Sequence, residues 1–172
     1  MDHRKQRGQC MKTLIAIFSI MLLPTLAMAG GSAEIHWSNP AGYTDVMASS
    51  GSQEEFQART FKELEDTIQK LAATLPDGQK LEMTVTDLDL AGDVKLTGAR
   101  TQHQDVRVVK DSYPARMKFH YRLLDASGNV LKEGDEKLQS RTMSAAMRTS
   151  SGEPLGMEKR MIRNWFKRSI AK

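Results

Sequence analysis

Lys80-Leu81-Glu82-Met83-Thr84-Val85-Thr86-Asp87-Leu88-Asp89-Leu90-Ala91-Gly92-Asp93-Val94 is the stretch around which the chain is organised. In its first half Leu81, Met83 and Val85 alternate with Lys80, Glu82, Thr84 and Thr86. That period-two pattern belongs to a strand with one buried face. Continued without a break, it would turn Asp87 and Asp89 toward the core and Leu88 and Leu90 away from it. Two resolutions are open. A bulge near Asp87 re-aims the chain, or the strand runs off the core with two carboxylates at its end. Gly92-Asp93 then closes the run in a turn.

Immediately upstream lies the best-specified helix. Ser52-Gln53-Glu54-Glu55 reads as a capping box, with the Ser52 hydroxyl taking a free amide of the first turn. Phe61, Leu64, Ile68, Leu71 and Leu75, preceded by Phe56, recur at spacings of three and four as one apolar stripe. Such a stripe covers its own sheet or meets a partner helix, and the first is the expectation. Pro76-Asp77-Gly78 stops the helix and feeds the central strand. Further back, Ile35-His36-Trp37 is a short strand, Asn39-Pro40-Ala41-Gly42 a turn, and Gly30-Gly31-Ser32 a flexible lead.

Downstream, Val94 to Gln104 reads as a polar connection, and Val106, Val108 and Val109 mark a further strand. Met117, Phe119, Tyr121 and Leu123 alternate with Lys118, His120 and Arg122. Asp125-Ala126-Ser127-Gly128-Asn129 is hairpin chemistry, and 130–138 is the return strand. The charges at Lys132, Glu133, Asp135, Glu136 and Lys137 mark that strand as an edge or a solvated face. Residues 139–152 read as a loop. Glu153-Pro154 opens a last helix, with Leu155, Met161, Ile162, Trp165 and Phe166 on its apolar side. Lys159, Arg160, Arg163, Lys167 and Arg168 crowd the other side. The order predicts an α+β two-layer fold: a mainly antiparallel sheet with two helices packed on one face.

Residues 1–29 read as a cleaved secretory signal, leaving 30–172 as a single α+β domain. Met11-Lys12 supplies the positive start, Leu14 to Leu23 the apolar core, and Ala27-Met28-Ala29 the small-x-small site, with Gly30 as the first mature residue. The apolar run is short for a membrane span and is interrupted by Pro24. Met11 is an alternative start to Met1. The only cysteine, Cys10, precedes that run, so the mature chain has no disulfide and no thiol chemistry. The leader also holds four of the 25 basic residues and one of the 21 acidic ones. The remaining 143 residues therefore carry 21 and 20, a net charge of +1. That near balance argues against nucleic acid as a partner, and no transmembrane anchor is expected in the mature chain.

No phosphate loop, dinucleotide fingerprint or nucleophile elbow is present, and no cofactor is expected. His36, His103 and His120 are far apart, and His120 falls on the polar face of its strand. One polar site stands out: Asp87, Asp89 and Asp93, with Arg107 and Arg116 as candidate partners. Oxygen ligands of this kind suit Ca²⁺ or Mg²⁺. The calcium-loop pattern fails, however, since Ala91 takes the third ligand position and Gly98 stands where the closing Glu belongs. The favoured reading is therefore that these aspartates cap turns and pair with nearby cations, with no metal bound.

Several of these residues carry a resemblance: Trp37, Asn39-Pro40, Tyr43-Thr44-Asp45, Leu75-Pro76, Gly78-Gln79, Thr86 through Gly92, Arg107-Val108-Val109, Tyr113-Pro114, Arg116, Phe119, Tyr121, Glu158-Lys159 and Trp165-Phe166. Together they resemble the bacterial secreted family known as domain of unknown function 3016, over nearly the whole of residues 30–172. Ala115 departs from the pattern where a second proline is expected. The resemblance implies export to the periplasm of a Gram-negative cell and assigns no activity or catalytic residue. Two functions follow as expectations. The favoured one is a non-catalytic periplasmic binding or interaction domain serving an envelope protein or ligand. The alternative is a metal-dependent hydrolase built on Asp87, Asp89 and Asp93. The basic last helix could touch an anionic membrane surface, but packing on the sheet is favoured.

Overall fold

The computed structural model describes residues 30–96, 105–108, 113–140 and 154–171, with the backbone course alone for 93–96 and 105–108. Its elements run β1 (Ser32–Trp37), a 3-10 turn (Pro40–Gly42), α1 (Gln53–Ala72), β2 (Lys80–Asp89), β3 (Asp93–Leu96), β4 (Asp105–Val108), β5 (Arg116–Leu124), β6 (Val130–Gln139) and α2 (Gly156–Ser169). The main sheet has the order β1-β2-β5-β6. β1 runs parallel to β2, while β2–β5 and β5–β6 are antiparallel. The fold is α+β, as its element pattern predicts.

The central strand resolves its phase conflict by a bulge. Val85 pairs with Phe119 and Asp87 with Lys118, so Thr86 is the extra residue. The inserted residue shifts the alternation by one. Leu81, Met83, Val85, Leu88 and Leu90 therefore all reach the core, and Asp87 and Asp89 reach the opposite face. Without the bulge, two carboxylates would enter an apolar interior, where an unpaired charge is very costly.

Both helices cover the same face of the sheet. Leu64, Ile68 and Leu75 join Met161, Ile162, Trp165 and Phe166 in one buried cluster with Met117, Phe119, Tyr121 and Leu123. The α1 stripe is rotated slightly from the expected one. Thr60, Thr67 and Ala72 are buried, while Phe56, Phe61 and Leu71 are half-buried at its flank. Phe61 stacks on Trp37 with ring centroids 4.1 Å apart. The start of α1 is as predicted: Ser52 is the N-cap, and its hydroxyl accepts from Glu55 N–H at 3.2 Å.

The two sheet edges are blunted differently. β6 carries the expected charges and is an edge strand. Its Lys132 and Glu136 stand opposite Leu123 and Phe119 on the helix side, where charge discourages another strand from pairing. On β1, the Gln69 amide of α1 both accepts from Ala33 N–H and donates to Ala33 C=O, as a neighbouring strand would.

Four expectations are corrected. Val94 is not in a connection: β3 and β4 form a separate two-stranded ribbon, Asp93 pairing with Val108 and Val94 with Arg107. The last helix starts at Gly156, after Leu155 in a left-handed conformation, rather than at Pro154. Lys159, expected on the solvated side, is buried and paired with Glu63 at 3.0 Å. Gly30 and Gly31 are seated against the end of α1 rather than loose. Residues 1–29, with Ala27 and Ala29 of the expected leader, and residues 141–152 of the expected loop lie outside the described residues.

Candidate functional site

Once the bulge has turned Asp87 and Asp89 outward, the sheet register chooses their partners. Asp87 stands opposite Lys118 and Asp89 opposite Arg116. Lys118 Nζ lies 2.7 Å from Asp87 Oδ2, and Arg116 Nη1 lies 2.9 Å from Asp89 Oδ2. Asp87 also accepts from the Thr44 N–H at 2.9 Å and from the Thr44 hydroxyl. Burial alone would push the Asp87 carboxyl up. The Lys118 ammonium and the Thr44 donors outweigh it and hold the group below its ordinary value of 3.8.

The segment before α1 is bound to the same place. Tyr43 donates its hydroxyl to Val85 C=O at 3.0 Å. Burial and the neighbouring Asp87 charge push this phenol up to about 12, so it stays a neutral donor. Asp45 continues the line of β1 as an isolated bridge to Asp89, with Asp45 N–H on Leu88 C=O and Leu90 N–H on Asp45 C=O. Beyond the strand, Gly92 N–H donates to Tyr113 C=O at 3.0 Å. Ala91 N–H donates to the buried Glu158 carboxylate at 2.8 Å.

The run Thr86 to Gly92 is thus a junction. It holds the Tyr43-Thr44-Asp45 segment, β5 through Arg116 and Lys118, the Tyr113 turn and the first turn of α2. Of the expected site residues, Asp87, Asp89 and Arg116 come together on the open face of the sheet. Asp93 and Arg107 lie on the separate ribbon, and their side chains lie outside the described residues. Residues that sequence reasoning gave no role are Thr44, Lys118 and Glu158. Lys118 follows only from register, and Thr44 only from the docking of the 43–45 segment beside β2. Glu158 carried one signal, a carboxylate in the first turn of a helix, where the dipole favours it.

Around the junction the open face carries further polar pairs. Arg122 of β5 meets Glu82 of β2 at 3.3 Å, Lys80 meets Glu34 across to β1 and Glu82 along its own strand at 3.1 Å, and His120 Nδ1 lies within hydrogen-bond distance of Asp135, at 3.0 Å. Most of these groups are well exposed, so each pair adds little stability. Asp87 and Asp89 are the shielded ones, their side chains only 16% and 15% exposed. A cleft of about 310 Å³ between the helices is lined by Glu63, Asp66, Lys70, Lys159 and Arg163. Another of about 470 Å³ at the sheet end is lined by Leu75, Leu123, Leu131, Lys132 and Ile170. Neither includes Asp87 or Asp89. Among the described residues no three His, Cys, Asp or Glu side chains converge as a ligand set. Among them also, no helix is long and apolar enough to cross a membrane.

Fold and junction together define an α+β protein whose four-stranded mixed sheet is covered by helices on one face and bears fixed charges on the other. The chain belongs to the family of proteins of unknown function DUF3016, whose sequence model matches residues 31–168. No curated protein and no solved structure matches it.

Proposed function

We propose that the protein is an exported, non-catalytic interaction domain of the Gram-negative periplasm, presenting the open face of its sheet to an envelope partner. One observation carries the reading. Asp87 and Asp89, the two shielded carboxylates of the open face, are committed to Thr44, Lys118 and Arg116, and neither lines the two clefts described above. An enzyme built on them would need a third polar group and a concave site beside them. Alternating fixed charges on an open sheet instead suit register-specific recognition, where complementary potential selects the partner. The leader-like residues 1–29 and the family support export.

The test uses protein purified from the exporting cell, immobilised and offered envelope extract, with captured partners cross-linked and mapped. Capture whose cross-links fall on β2 and β5, and which is lost in Lys118→Glu, supports the reading. Hydrolysis of phosphate or carboxylic esters that needs a divalent cation and disappears in Asp89→Asn would overturn it in favour of the hydrolase alternative.

A further inference from the structure

The chain enters the fold through a notch at the end of α1. Gly30 N–H donates to Asp77 Oδ1 at 2.7 Å, Gly31 N–H to Leu75 C=O at 3.1 Å, and Ser32 N–H to Gln79 C=O at 2.9 Å. The notch admits only glycine. Gly30 has φ +100, and a Cβ there would stand 2.5 Å from Ala73 O. A Cβ on Gly31 would stand 2.7 Å from Leu75 Cβ and 2.8 Å from Ala72 O. Both glycines are thus demanded by contact with the carbonyl end of the helix.

That environment is built for a cation. Ala72 and Ala73 close α1, where the helix dipole is negative. The Asp77 carboxylate adds a full charge on the same nitrogen. An amide N–H is a modest occupant for such a place. Ala27-Met28-Ala29 directly before Gly30 offers a better one. Hydrolysis of the Ala29–Gly30 bond by a signal peptidase consumes one water, leaves a carboxylate on Ala29 and frees the Gly30 nitrogen as an ammonium. We infer that the N-terminal ammonium made by leader removal is a structural group: it forms an ion pair with Asp77 at the end of α1 and locks the start of β1. Export and folding are then coupled, since the chain gains this pair only after processing. The inference rests on the export reading above and adds to it what the new terminus does.

The experiment takes the exported protein and acetylates its α-amino group selectively, leaving the lysines free. The folding equilibrium constant of the untreated protein should be about five-fold larger near neutral pH, the size of a charge at a helix end plus one partly exposed ion pair. The difference should vanish in Asp77→Asn. An α-amine has an ordinary value of about 7.7–8.0, and pairing raises it in the folded state. The gain is therefore full below that value and is lost as pH rises through the raised one. Charged groups on adjoining elements include Lys70 in the last turn of α1, Lys80 at the start of β2 with its partners Glu34 and Glu82, and Asp125 of the β5–β6 turn, whose neighbour Ala126 packs against Gly78. None is altered by the acetylation, so they cancel in the comparison.

Equal stability of acetylated and free protein at pH 6, or a difference that survives in Asp77→Asn, would overturn the inference. Should Asp77→Asn fail to fold, the pH dependence of the acetylation effect decides alone. The export reading fails separately, if the protein keeps an intact Met1 or Met11 terminus; a processed start elsewhere than Gly30 overturns this inference alone.

Discussion

Glu158, in the first turn of α2, accepts the backbone N–H of Ala91 at 2.8 Å across 67 positions of chain, and both residues are buried. A peptide N–H that leaves β2 at its C-terminal end is thus satisfied by the last helix. Glu158→Ala would strand that donor in the interior, and about 1–3 kcal/mol of stability should be lost. Glu158→Gln keeps an acceptor oxygen and should lose less. Urea melts of both variants check this; equal losses would show that the charge, rather than the acceptor, is what matters.

Ile68 is fully buried at the middle of α1. Ile68→Ala removes its transfer free energy and leaves a cavity, and the expected loss is about 2–5 kcal/mol. A loss below about 0.5 kcal/mol in denaturant, the range of surface substitutions, would mean that this face does not cover the sheet.

Asp87 makes stability depend on acid. Its carboxyl is held below 3.8 in the folded state, so its contribution is complete above that value and is lost as pH falls through the lowered one. Asp87→Asn should cost about 1–2 kcal/mol at pH 7. The gap to the wild type should close in acid. Thermal melts across pH 2 to 7 read it, and a gap independent of pH would assign the loss to shape alone.

Trp165 is 1% exposed and packs edge-on against Phe119 and Tyr121, with centroids 4.8 and 5.3 Å away. Its fluorescence should be blue-shifted in buffer and unchanged by anionic vesicles. A further shift on adding vesicles, reversed by salt, would show α2 leaving the sheet for a membrane surface.

Mass spectrometry of the periplasmic fraction should find a mature N-terminus at or near Gly30. An intact Met1 or Met11 terminus retained in the membrane would contradict export.

Local signals were enough for much of the fold. Ser52 and Glu55 marked the start of α1, Asp125 and Gly128 the β5–β6 turn, and the 117–123 alternation the inner face of β5. Each depends on neighbours within a few residues, so sequence spacing reports it directly. The clash between Val85 and Asp87 even announced a bulge without deciding it. What only tertiary structure decided were the partners of the outward charges. Whether Asp87 meets Lys118, Asp45 lines up with Asp89, or Glu158 reaches Ala91 depends on register and on where α2 lands. Those are set by packing among residues far apart in the chain, and a one-residue slip would reassign every pair. Lys159 shows the same limit: helical periodicity placed it in water, and the approach of Glu63 from α1 gives its buried charge a partner.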